Sequence, residues 1–217
     1  MSTVLFALTS HEKLGETGKS TGFYVSEAAH PWRVLTDAGH RVESVSVRGG
    51  RPPLDGYDPE DADQRAFVER ADLDHTLAPA EVDPERYDAV LYVGGHGTMW
   101  DFPGSGLAAI SGAVYDRGGV VAAVCHGPAG LLDVTLSDGT HLLRDKDVTG
   151  FTNAEEAAVG LTGVVPFLLQ DALEERGARH HAAPEFTEHV VVDGRLVTGQ
   201  NPASATAVGE AIARLLA

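Results

Sequence analysis

Residues 120–132 read VVAAVCHGPAGLL and hold the only cysteine of the chain. The five apolar residues 120–124 do not alternate with polar ones, which is the pattern of a strand covered on both faces in a parallel sheet. The run stops at Cys125-His126-Gly127-Pro128. Where a strand turns sharply into a helix, the residue at the tip faces the crevice, and the side chains two positions away must be small. Ala123 and Gly127 meet that requirement around Cys125, so the stretch has the steric form of a nucleophile elbow. A thiol at the amino end of the following helix would have its thiolate favoured by the helix dipole. The competing reading is a small buried hydrophobe, the usual state of a free cysteine.

Two other runs repeat this pattern, VLFAL at 4–8 and AVLYV at 89–93. Helical spacings separate them. Leu107, Ile110 and Val114 share a face before a stop at Gly118, and Val165, Leu168, Leu169, Ala172 and Leu173 share another before Gly177. Val208, Ala211, Ile212, Leu215 and Leu216 form the last stripe. HRVESVSV (40–47) reads as a strand, and HVVVDGRLVTG (189–199) as a hairpin turning at Asp193-Gly194. The segment 48–63, rich in Gly, Pro and Asp, is expected to be a surface excursion. A chain of 217 residues with this alternation predicts one domain, 1–217, built as a doubly wound α/β sandwich. Its central sheet is mostly parallel, with helices on both faces and a small antiparallel element near the end.

In such a sheet, ligands bind where loops leave the carboxyl ends of strands. GGHG (94–97) and CHGP (125–128) both leave such ends, so both open onto one crevice. Backbone N–H groups of Gly95 and His126 would there form an oxyanion hole. His126 is placed to accept a proton from Cys125 or from water if a carboxylate orients it, and periodicity does not say which carboxylate. His96 either contacts a ligand oxygen or packs its loop. Tyr24 and Trp100 either wall the pocket or pack elsewhere. GGHG lacks the spacing of a dinucleotide fingerprint. His180 and His181 are adjacent, point opposite ways on a strand, and make a poor metal pair.

The formal charge is −16, and the 16 basic residues form no stripe. Such a surface repels phosphate backbones and anionic membranes, so neither nucleic acid nor membrane is an expected partner. No apolar run is long enough to span a bilayer, and the first residues, MSTVLFALTSHEKLGE, lack the basic and cleavage regions of a signal peptide. A lone cysteine forms no internal disulfide, and a reducing, cytoplasmic setting is expected.

Five blocks together carry a family resemblance: AVCHGPAGLL (123–132), GGHGTMWDFP (94–103), TGFYVSEAAHPW (21–32), DVTGFTNAEE (147–156) and LVTGQNPASA (196–205). They resemble the ThiJ/PfpI superfamily, and within it the heat shock protein 31 branch, over nearly the whole chain. The resemblance implies a flavodoxin-like sandwich of the class I glutamine amidotransferase kind and a Cys-His-acid triad. It places the nucleophile on Cys125 and its histidine on His126. A glutamate that hydrogen-bonds the nucleophile falls on Glu27, whose alternative is an exposed acid favoured by a helix start. The triad acid falls on Glu156, with the neighbouring Glu155 left open, and Gly95 matches the oxyanion-side glycine. No His/Glu cluster matches the metal site of larger members, so neither metal nor cofactor is expected.

The branch implies a glutathione-independent glyoxalase that turns methylglyoxal or another 2-oxoaldehyde and water into lactate or the matching 2-hydroxy acid. A homodimer is implied as well. The alternatives carried beside it are a cysteine amidase or peptidase using the same constellation, and a stress chaperone, protein deglycase or thiol-based oxidant sensor.

Overall fold

The apolar runs pair into one sheet because each is walled on both sides. In the computed structural model, which describes residues 1–217, the chain order opens with β1 (Thr3–Leu8), β2 (Phe23–Tyr24), α1 (Val25–Asp37), β3 (Arg41–Ser46), β4 (Leu54–Asp55) and α2 (Ala62–Arg70). β5 (Ala89–Tyr92), α3 (Thr98–Asp101), α4 (Leu107–Asp116) and β6 (Val120–Val124) follow. The last part holds β7 (Asp147–Val148), α5 (Asn153–Ala158), α6 (Leu169–Glu175), β8 (Arg179–His180), β9 (Val190–Asp193), β10 (Leu196–Gly199) and α7 (Ala205–Leu216).

The six-stranded sheet runs β3-β1-β5-β6-β10-β9, with every pair parallel except the antiparallel β9–β10 hairpin at one edge. All residues of β5, β6 and β10 are buried, as two-sided cover requires. Helices flank the sheet: α1 packs on α2 and α7 over one side, and α4 lies on β5 and β6. The α1–α7 contact is close, because a Cβ at Gly209 would sit 2.8 Å from the Pro31 Cα. One cluster of 48 buried residues spans the sheet and both helix layers. No helix is long and apolar enough to cross a membrane.

Two expectations need correction. The helical face drawn from Val165 begins only at Leu169. Val165 instead closes a turn on Leu161, and Pro166 keeps the residue before it out of the helical region. The excursion 48–63 is not only surface. Its Leu54–Asp55 pair forms β4, hydrogen-bonded in parallel to β2, and so reaches the sheet's carboxyl edge.

That edge depends on close backbone approach. After β6 the chain turns at Cys125 with φ +59°, and the next turn lies flat on β5. A Cβ on Gly127 would fall 2.2 Å from the Tyr92 carbonyl oxygen. Gly127→Ala is therefore expected to lose roughly 1–3 kcal/mol of stability by overpacking. Urea denaturation at neutral pH reads it, and an unchanged midpoint would contradict the contact.

Candidate active site

Cys125 sits at the tip of the β6 turn, buried to 4% exposure at the base of a cleft. Its backbone is fixed on both sides: its N–H donates to Gly199 on β10 at 2.9 Å, and its carbonyl accepts from Phe151 at 2.8 Å. A left-handed φ on a non-glycine residue is uncommon, and here a strand–turn contact on each side holds it. The loop after β5 joins the same wall. The Thr98 hydroxyl donates to the carbonyls of both Gly95 and His126, at 2.9 and 3.1 Å, so the two glycine-rich loops are clipped together.

Glu27 stands in the first turn of α1, but its side chain turns inward and is fully buried. It reaches the sulfur across Gly94, where a Cβ would stand 2.3 Å from the Glu27 carboxyl and 2.9 Å from the Cys125 Cβ. Neither carboxyl oxygen has a well-formed hydrogen bond. Burial drives its pKa up to about 8, against the opposing pull of the nearby Cys125 side chain and Gly94 backbone. The thiol moves the same way, pushed well up by burial and then by the Glu27 carboxyl, while the His126 N–H works in the opposite direction. At neutral pH the pair is therefore a thiol beside a carboxylic acid.

This corrects the expected activation by a helix dipole. The element after Cys125 is a five-residue 3-10 segment, Gly127–Leu131, too short to carry a useful macrodipole. Desolvation dominates the sulfur's surroundings.

His126 Nδ1 lies 3.4 Å from the sulfur, and its Nε2 is 2.7 Å from a Glu156 oxygen. His96 Nε2 contacts the other Glu156 oxygen at 2.9 Å, so one carboxylate serves two imidazoles. Burial, helped by the nearness of His96, lowers His126 to about 4 despite the bond to Glu156. Burial alone would raise Glu156, but its bonds from His126 and His96 outweigh that and bring it to about 2. The trio at neutral pH is then a neutral His126 held by an ionised Glu156. Their ligating atoms all lie within 4.8 Å, a triangle with the donor set of a metal site. Each Nε2 is instead engaged with Glu156.

The two neighbouring acids do different things. Glu155 closes a capping box with Thr152: its Oε2 accepts from the Thr152 N–H and hydroxyl, and the Thr152 hydroxyl accepts from the Glu155 N–H. Its Oε1 accepts from Gln200, Asn201 and the Phe186 N–H. Facing the cap, Glu155 makes no hydrogen bond to His126, while Glu156, one position on, does. The spacing T-x-x-E at 152–155 is legible in the sequence and would have separated the two acids.

Gly95, His96, Tyr24 and Glu27 line the cleft with Cys125 and His126. Asp55, Phe151, Val159, Phe186 and Pro202 complete it, and sequence reading singled out none of these five. Phe151 and Pro202 lie inside two of the blocks that carry the family resemblance and Asp55 in the turn-rich segment that supplies β4, while Val159 and Phe186 had no signal. Trp100 lies elsewhere, stacked on His11 with ring centroids 5.0 Å apart. His180 and His181 diverge: His181 Nε2 pairs with Asp147 at 2.7 Å, while burial lowers the pKa of His180.

Residues 20–215 match the DJ-1/PfpI family. The chain belongs to that family. Among DJ-1/PfpI relatives, "Glyoxalase 3" of Candida albicans is 36% identical, covering 97% of this chain and 96% of its own. "Glutathione-independent glyoxalase HSP31" of Saccharomyces cerevisiae is also 36% identical, covering 93% of this chain and 92% of its own. A solved structure, the Rapid Encystment Protein of Francisella tularensis, superposes with a TM-score of 0.95 at 38% identity, each chain covered in full. The flavodoxin-like α/β fold is thus shared over the whole length.

The raised Glu27 has a measurable cost. Its folded pKa of about 8 lies above the unfolded value of 4.5, so the folded state binds the extra proton between those pH values and stability falls as pH rises through them. Glu27→Gln, which carries no charge, is expected to gain on the wild type by roughly 1.4 kcal/mol per pH unit in that window and to level off above pH ~8. Urea denaturation of both proteins from pH 5 to 9 checks it. A constant difference would mean that Glu27 is ionised when folded.

Proposed function

We propose that the protein is a glutathione-independent glyoxalase, converting 2-oxoaldehydes such as methylglyoxal, with water, to 2-hydroxy acids. The observation that carries this reading is the buried Glu27 carboxyl, without a settled hydrogen-bond partner, against the Cys125 sulfur. An acyl-transfer triad needs only cysteine, histidine and acid. Moving a proton between two adjacent carbons needs one more group, able to give and take it near neutral pH. Glu27, with its pKa near 8, is that group. The cleft volume of about 230 Å³ also suits a small dicarbonyl better than a peptide segment. The names of the Candida and Saccharomyces relatives point to the same chemistry.

The steps balance on these residues. Cys125 sulfur bonds to the aldehyde carbon, its proton passing to His126 Nδ1 while Glu27 gives its proton to the aldehyde oxygen. Glu27, now ionised, takes the hydrogen from that carbon, and protonated His126 protonates the ketone oxygen, giving an enediol. Glu27 returns its proton to the second carbon and takes the one from the first carbon's hydroxyl, which leaves a thioester. Neutral His126, oriented by Glu156, then takes a proton from water as it attacks and hands it to the leaving sulfur. Backbone N–H groups at Gly95 and His126 would bear the negative oxygen. No external electron carrier enters, because one carbon is oxidised as its neighbour is reduced. A homodimer forms part of the same proposal.

Purified protein should consume methylglyoxal with no thiol added, and Cys125→Ala should abolish turnover. Glu156→Gln is expected to lower kcat by about 10²–10⁴-fold by removing the charge that orients His126. An active Cys125→Ala variant would sink the mechanism.

A further inference from the structure

One wall of the cleft takes no part in the proton transfers above. Phe151 lies deepest on it, its ring centroid 4.3 Å from that of His126. Phe186 stands 6.2 Å from Phe151, farther out. Phe186 and Val159 are 48% and 43% exposed, two of only five large apolar side chains so exposed, and both line this one cleft. Scattered exposed apolar residues need no explanation, whereas two converging on the mouth over a reactive thiol do. The backbone adds a second observation. Phe186 is held at φ +56°, a region that disfavours a bulky side chain, and its N–H is tied at 2.8 Å to Glu155 Oε1. That oxygen also takes hydrogen bonds from Gln200 and Asn201, and Glu155 is anchored by the cap of α5. The helix that presents Glu156 to His126 therefore also fixes where Phe186 stands.

We propose that Phe186 and Val159 form an apolar rim that selects the carbonyl compound reaching Cys125 by its substituent, favouring an aryl or branched aliphatic group over hydrogen. The inference rests on the glyoxalase reading for its substrate class. The Tyr24 hydroxyl and the backbone N–H groups of Gly95 and His126 are the donors for the two oxygens of a 2-oxoaldehyde. The group on its ketone carbon is left to Phe151, Phe186, Val159 and Pro202. An aromatic substituent gains edge or face contact with the two phenyl rings, and a hydrogen gains none. Glu155 is a positioning residue in this scheme, since it acts through Phe186.

The test compares phenylglyoxal with glyoxal on wild type, Phe186→Gly and Val159→Ser. Glycine tolerates the positive φ, so Phe186→Gly removes the ring without straining the loop. The phenylglyoxal-to-glyoxal ratio of kcat/KM is expected to fall about three- to tenfold in Phe186→Gly, and less in Val159→Ser. A second arm needs no turnover: Cys125 alkylation by phenacyl bromide relative to iodoacetamide, followed by intact mass. That ratio should fall in parallel. Unchanged alkylation ratios in both variants would overturn the rim. A wild type that turns over neither aldehyde while its alkylation ratio still drops on removing Phe186 would overturn the glyoxalase reading and leave the rim standing.

Discussion

Absence of a side chain at residues 94 and 127 lets two loops lie backbone to backbone at the carboxyl edge of the sheet. At Gly127 the turn after β6 rests on the Tyr92 carbonyl, and at Gly94 the loop after β5 leaves room for a carboxyl group to pass. Only through that gap does Glu27, from a helix near the start of the chain, meet a sulfur about a hundred residues later. Filling either position would push the loops apart, and the acid and the thiol would cease to be neighbours. The chemistry is thus a consequence of packing before it is one of functional groups.

Once together, the groups fall into two electrostatic compartments only one side chain apart. On one side, burial keeps thiol and carboxyl protonated, and so uncharged. On the other, Glu156 stays ionised because two imidazoles donate to it. His126 touches both compartments, with one nitrogen toward the sulfur and the other toward the carboxylate. Charge separation in the cleft therefore waits for a reaction step that can use it, which suits a buried site where an unpaired ion is costly.

Much of this was legible in the sequence. The three apolar runs, the hairpin at Asp193-Gly194 and the elbow at Cys125 follow from local pattern, and the structure places them where pattern put them. The residues that failed to announce themselves are those whose role comes from a distant partner. Phe186 and Val159 look like ordinary loop and helix-end residues until the 181–189 loop is tied back to Glu155. Asp55 sits in a stretch whose Gly, Pro and Asp content signals turns, and no periodicity marks a two-residue strand. The helix drawn from Val165 was too long because apolar spacing continues through a proline-interrupted turn. The supposed dipole failed for a related reason: sequence marks where an element starts after the elbow, not that it ends within five residues.

The carboxylate shared between His96 and His126 has a consequence for enzymology. His96 lies beside His126 and lowers its pKa, while the bond to Glu156 raises it, so the proton on His126 answers to both neighbours. An inflection in a plot of rate against acidity is then a macroscopic constant of the assembly. Replacing His96 should displace that inflection, because its nearness is one of the causes that lower His126.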